Sequence, residues 1–419
     1  MMFDVAKIRD QFPALNHSRR GKKPIFLDGA AGTQVPQRCI LAMVRYLSTC
    51  NANTHGAFAT SQESDHILER AHTWTAAFLN AHSPEEVVFG PNMTTLTFQL
   101  SRSLAKIWKP GDEILLTRLD HDANVTPWKL AARDAGATVR FVDIHPEDCS
   151  LDMESFREQL NDKTKLVALT AASNLVGTRT NLPEIIPLAR KVGALVFVDA
   201  VHFAPHGVMD VQKWNCDFLA CSPYKFFGPH LGILWGKREH LTALQPYKLR
   251  PASDQIPDCW MTGTQNHEAL AGLTGTFDYL SDLGKHELSI TPPTEKTILA
   301  RLQLQAAMQV IEKYEQDLFA GFVRGLREIS GLKIWGVSNP EEQSRRVPTV
   351  AVTHKEKTPL ELAKHLAAEE MYAWNGNMYA LELSQRLNLE STGGVLRMGL
   401  AHYNTSDEIE AVLNVLKKL

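Results

Sequence analysis

The chain has 419 residues, 44% hydrophobic and 22% charged, which is enough to fold as two units with sizeable cores. A net charge of −3 gives no electrostatic reason to bind nucleic acid or an anionic membrane, and no apolar run reaches the length of a membrane span. The start, Met1-Met2-Phe3-Asp4, lacks the basic-then-apolar layout of a secretory leader, and the six cysteines (Cys39, Cys50, Cys149, Cys216, Cys221, Cys259) form no CxxC pair or metal spacing, so a cytoplasmic protein with no bound metal is expected.

Residues 4–11 are predicted as a short helix, followed by a basic loop at 18–23. A brief strand at 25–27 runs into Asp28-Gly29-Ala30-Ala31-Gly32-Thr33, small residues that let backbone approach a neighbour closely. Helical periodicity over 64–80 leads to a strand at 84–89, then to Gly90-Pro91-Asn92-Met93-Thr94-Thr95 and a further helix. A strand, a polar turn and a helix N-terminus make an anion cradle; Asn and Thr also cap helices that bind nothing. Strands at 112–117, 138–142 and 165–170 follow, the first running into His121 and the last into Ala172-Ser173-Asn174. A helix at 182–192 returns the chain to Leu195-Val196-Phe197-Val198, an apolar run that reads as a fully buried parallel strand ending on Asp199. A second run at 217–222 delivers Pro223, Tyr224 and Lys225, and a glycine-bearing turn at 226–232 precedes a strand at 233–235. From Pro292 the character changes. An amphipathic helix at 295–329 crosses into a smaller α/β unit with strands at 332–335, 347–353, 371–374 and 395–400 and helices at 359–369, 379–387 and 407–416. The charged run at 341–346 (EEQSRR) reads as a solvated loop.

Strands alternating with helices imply an open, mostly parallel sheet, and such sheets bind ligands at the carboxyl ends of their strands. Asp199 and Lys225 would then face one crevice. A carboxylate and an amine so placed suit pyridoxal phosphate: the lysine forms the Schiff base, and the acid keeps the pyridine nitrogen protonated so that the ring accepts carbanion electrons. Taken singly, an Asp at a strand end is often a helix cap and a Lys after a strand is often a solvated loop residue. Their order, the Ser222-x-x-Lys225 spacing and the Gly228-Pro229 turn favour the cofactor.

Asp199-Ala-Val-His202, followed by Ser222-Pro-Tyr-Lys225-Phe-Phe-Gly-Pro, resembles the core of the class V aminotransferases, and most of all their group II cysteine desulfurase branch; the similarity runs over almost the whole chain. The resemblance implies an α/β protein of the PLP-dependent transferase fold type I. Its large PLP-binding domain, at 25–291, would carry a mostly parallel sheet of the seven-stranded type. A small α/β C-terminal domain at 292–419 would be entered through a long linking helix, and an N-terminal segment at 1–24 would pack with it. Further roles are implied residue by residue. The Ala30 segment resembles a Leu-Asp-x-Ala-Ala stretch close to the substrate. Asn51-Ala-Asn53-Thr-His55 resembles an Asn-x-Asn-x-His stretch, with Gly56 where the family has Arg. Met93, through its backbone, and Thr94 would hold the phosphate. His121 would stack on the cofactor ring and could carry a proton. Asn174 would meet the cofactor's phenolic oxygen or the substrate. His202 would donate to the same phenolic oxygen from a position where desulfurases commonly carry Gln. Ser222 and Tyr224 would offer hydroxyls to the phosphate, Tyr224 replacing the usual His. Thr264 would reach the phosphate of a neighbouring subunit, which implies a homodimer. Arg397, in a stretch leading to Tyr403-Asn404-Thr405, would bind the substrate carboxylate bidentately.

One segment departs from that pattern. Where group II desulfurases carry Arg-x-Gly-His-His-Cys-Ala, this chain has Trp374-Asn375-Gly376-Asn377-Met378-Tyr379-Ala380, and no cysteine follows Cys259. Tyrosine cannot form a persulfide. A PLP-dependent enzyme acting on an α-amino acid is implied, with elimination, transamination (an aminotransferase) and epimerisation all open on one scaffold. Two other classes fit the residues less well. A PLP-binding storage or regulatory protein would not need Arg397 beside Lys225 and Asp199, and a nicotinamide dehydrogenase would need a G-x-G-x-x-G that follows no strand here.

Overall fold

The computed structural model describes residues 3–288 and 294–419; the boundary expected at 291/292 lies outside the described residues. Seven apolar segments build the main sheet: β2 (Val87–Gly90), β3 (Glu113–Thr117), β4 (Thr138–Val142), β5 (Thr164–Thr170), β6 (Leu195–Asp199), β7 (Phe218–Cys221) and β8 (Gly232–Gly236). Their order is β2-β8-β7-β6-β5-β3-β4. Only β8 runs antiparallel to its neighbours, and the remaining pairs are parallel. Strands β2, β3, β7 and β8 are buried at every position, because helices cover both faces. That is why they read as unbroken apolar runs instead of alternating ones. At the edge, β4 alternates between covered and exposed positions.

The chain reaches the second unit through the helix Lys296–Arg327, which packs along the helix His267–Lys285. The two backbones meet at Gly284, where a Cβ would lie 1.8 Å from the carbonyl oxygen of Gln303. Farther along, Phe319, Phe322 and Val323 enter the core of the small unit. There β9 (Leu332–Trp335), β10 (Thr349–His354), β12 (Trp374–Gly376) and β13 (Val395–Gly399) form an antiparallel sheet in the order β12-β13-β10-β9. The first strand, β1 (Ile25–Phe26), stays out of the main sheet and pairs in parallel with β11 (Met371–Tyr372).

Four expectations need correction. The strand predicted at 371–374 is two strands, since the chain leaves β11 for a different sheet at β12. The strand predicted at 347–353 starts at Thr349. The helix predicted at 379–387 starts at Leu381, because Met378 and Tyr379 take left-handed φ angles of 53° and 58° that no helix accommodates. The run at 341–346 is not a solvated loop. It forms a 3-10 turn, Pro340–Arg345, after which Arg346 is 1% exposed and donates to the carbonyls of Val176 (2.8 Å), Val337 and Thr349. A helix at Gln37–Thr49 went unforeseen. Among the described residues no helix is long and apolar enough to cross a membrane.

Candidate active site

Parallel strands deliver their loops to one edge of the sheet, and here those loops close around a cleft. Met93 and Thr94, His121, Asn174, Asp199, His202, and Ser222 to Lys225 (excepting Pro223) all line it. Nine of the twelve positions singled out in the sequence for a site are therefore brought together, with Ala30 and Arg397 at its border.

At one end the helix Met93–Ala105 begins. Asn92 caps it by accepting from Thr95 N at 2.8 Å, and the first intrahelical bond is Leu96 N to Asn92 O. The N–H groups of Met93 and Thr94 precede that bond and point out of the helix, a geometry suited to an anion. β8 starts directly behind them. A Cβ on Gly232 would lie 2.3 Å from the carbonyl carbon of Asn92, so only glycine lets the strand pass this turn.

Asp199 is 4% exposed at the end of β6, and its Oδ1 accepts from Val201 N at 2.9 Å. Burial pushes its carboxyl up to about 6, against the lowering effects of that hydrogen bond and of Lys225. Lys225 is buried behind the 3-10 turn Pro223–Lys225, and its Nζ donates to the carbonyl of Ala30 at 2.6 Å. Burial, and then repulsion from Arg397, bring its ammonium down to about 7 although Asp199 attracts it. Near neutrality the cleft therefore holds an ionised acid and an amine close to its own midpoint, a pairing typical of functional sites.

His121 accepts from Ala123 N at Nδ1 (3.0 Å), which leaves Nε2 to carry the proton of the neutral ring. Burial and then the cations Lys225 and Arg397 lower it to about 4. His202 shares its Nε2 with the Thr349 hydroxyl at 3.0 Å, and burial keeps it neutral too. Tyr224 stacks on His230 with centroids 4.9 Å apart. Arg397, on β13, donates from Nη1 to the carbonyl of Asn174 at 2.8 Å. The Nδ2 of Asn174 reaches Met378 O at 2.7 Å, while its buried Oδ1 has no partner.

Thr264 is not in this cleft. It is exposed in a separate open groove beside Asn53, Thr54 and His55. Cysteine is absent from the cleft lining, and all six cysteines are buried. Cys221 is fully buried in the core that also holds Leu219 and Phe226. Burial raises the thiols of Cys39, Cys149, Cys216, Cys221 and Cys259. Sequence reasoning missed Ala123, Thr170 and Val201 in the lining, residues with no chemical signature of their own.

The residues present fit pyridoxal phosphate. A helix N-terminus faces the cleft at one end, an acid and an amine with opposed shifts lie within it, a flat neutral imidazole borders it, and the unsatisfied Oδ1 of Asn174 remains to be met by a donor.

A model of the aminotransferase class-V family matches residues 25–291 and 290–412. A probable cysteine desulfurase of Synechocystis sp. is 31% identical to this chain, covering 99% of it and 95% of the relative. A cysteine desulfurase of Pectobacterium carotovorum is 27% identical over 100% of this chain and 98% of its own length. Among solved structures, the apo cysteine desulfurase of Thermococcus onnurineus superposes with a TM-score of 0.85 at 24% identity, over 99% of this chain and 97% of that one. A cysteine desulfurase of Escherichia coli in an S-sulfonic acid form gives 0.82 at 24% identity, over 100% and 98%. Both share the fold.

Proposed function

This chain belongs to the aminotransferase class-V family of pyridoxal-phosphate-dependent enzymes, and from that premise we propose that it is a desulfurase-like lyase that acts on an α-amino acid without passing sulfur through a protein cysteine. The observation that carries this reading is the cleft itself: Lys225, Asp199 and the helix start at Met93 and Thr94 line it, and no cysteine does.

Pyridoxal phosphate would be held by the N–H groups of Met93 and Thr94 and the hydroxyls of Ser222 and Tyr224 at its phosphate, by His121 at its face, by Asn174 and His202 at its phenolic oxygen, and by Asp199 at its ring nitrogen. Bound there, it supplies an aldehyde that condenses with amines and a ring that accepts the electrons released at the substrate α-carbon. The protein does the rest. Asp199, ionised above about pH 6, would keep a proton on the ring nitrogen. Lys225, neutral above about pH 7, takes the α-proton at Nζ. Arg397 binds the substrate carboxylate and Ala30 lies alongside, which orients the α-carbon. The β-substituent then leaves directly to solvent.

The same reading makes the protein a cytoplasmic homodimer in which Thr264 of each copy reaches the phosphate of the other. Two features support it: Thr264 lies outside its own chain's cleft, and the helix Gln37–Thr49 presents Ile40, Leu41, Val44 and Leu47 to the outside, each more than 40% exposed. The test is a panel of amino acids incubated with the purified protein, with keto acid, ammonia and sulfide measured beside the intact protein mass. Equal amounts of keto acid and ammonia with no gain of sulfur mass are expected. A persulfide on one cysteine, or an amino group retained on the protein-bound cofactor, would overturn the reading.

A further inference from the structure

Beyond β12 the backbone makes an unusual turn. Gly376 has φ 125°, and two non-glycine residues in succession, Met378 and Tyr379, take left-handed angles. Such conformations persist only where the surroundings over-determine them, and they concentrate at functional sites. Here one of the residues that hold the turn, Asn174, lines the cleft. Asn174 Nδ2 donates to Met378 O (2.7 Å), Asp122 N donates to Tyr379 O (2.7 Å), and Tyr379 N donates to Asn377 Oδ1 (3.1 Å). The outcome is a tyrosine ring that is 73% exposed and yet stacked on His121, with centroids 5.5 Å apart and planes 20° apart.

We infer that Tyr379 is a positioning residue of the active site: its ring closes the outer face of the His121 imidazole and fixes that plane at the cleft mouth in the neutral Nε2–H form. The inference rests on the proposed cofactor site for its purpose but not for its geometry. His121 is already pinned at Nδ1 by Ala123 N, so the ring has only its tilt and its solvation left to set, and a flat neighbour sets both. The charged groups around His121 are Lys225 in the cleft, Arg397 at its border and Asp122 next in the chain, with the neutral His202 across the cleft. The two cations oppose protonation, and Tyr379 adds to them by keeping water from the exposed face.

Carbethoxylation tests this, because diethyl pyrocarbonate reacts only with neutral imidazole. The rate at His121, followed by peptide mass mapping on the full chain stripped of cofactor, should be slow and level from pH 5 to pH 8 in the natural protein and in Tyr379→Phe. In Tyr379→Ala it should rise severalfold at pH 8, and its fall on acidification should begin at a higher pH than in the natural protein. Tyr379→Leu keeps the bulk without the flat ring and should follow alanine; it decides the matter if the alanine variant does not fold. With cofactor added, Tyr379→Phe should bind it as the natural protein does, and the alanine and leucine variants more weakly. A level, slow profile in both Ala and Leu variants, or a phenylalanine variant that behaves like alanine, would overturn the inference. Failure of the natural protein to bind the cofactor would instead overturn the proposed function, and the cofactor-free rates would still decide the stacking.

Discussion

At the scale of single residues, the cleft depends on Lys225 having lost its ordinary basicity. Burial and Arg397 bring its ammonium to about 7, so the neutral, reactive amine predominates above that pH and is scarce below it. The rate at which cofactor-free protein captures pyridoxal phosphate should therefore climb between pH 6 and pH 8 and then level. Stopped-flow absorbance would follow it, and a midpoint near that of an ordinary lysine would show that the amine is not desolvated. Asp199 moves the other way for the same reason, because burial penalises whichever form is charged. Sequence could place this acid and this amine on neighbouring strands but could not assign their shifts, which come from side chains remote in the chain, such as Arg397.

At the scale of elements, the junction that bears most directly on the cleft is between β8 and the helix Met93–Ala105. Gly232→Ala would drive a methyl into the backbone of Asn92 and Met93, at 2.3 to 2.7 Å. Overpacking of this kind costs about 1–3 kcal/mol, and the displaced turn should also weaken cofactor binding. Calorimetry and a binding titration would measure the two effects. Gly321→Ala is the control: no atom lies within 4 Å of its Cβ position, so it should be neutral or slightly stabilising. Strands of the main sheet were legible in the sequence, because burial on both faces demands continuous apolar runs such as Leu195 to Val198, and the cleft residues follow from where those strands stop. What escaped is tertiary. Tyr379-Ala380-Leu381-Glu382 has helical composition, yet the bonds from Asn174 to Met378 O and from Asp122 to Tyr379 O hold its start in a turn. Arg346 sits in a run of charges that suggests solvent, yet three carbonyls from other segments bury it. No local pattern announces partners such as Asn174, Asp122 and Val176, which lie more than a hundred residues away.

At the scale of the whole molecule, the proposed exchange of Thr264 between subunits has a direct test. A Lys225→Ala chain and a Thr264→Asp chain should each be inactive, the second because a carboxylate repels the phosphate. If they are unfolded and refolded together, mixed dimers form in which one site has both natural residues. About a quarter of all sites are then intact, given random pairing of equal amounts. Activity that stays at the level of the separate variants would place Thr264 in its own chain's site or in none. Chain connectivity carries one more consequence. β1 pairs with β11, Gly399 N donates to Leu27 O, and Asn404 Nδ2 donates to Phe26 O, so the strip that ends at Ala30 is held in place by residues 371–404. Ala30 in turn receives the Lys225 amine. A ribosome thus releases the lysine, the acid and the helix Met93–Ala105 long before it has made the strand that seats the wall opposite them. The half-made protein has every reactive group and no finished place to use them, and translation itself becomes the last step in assembling the catalyst.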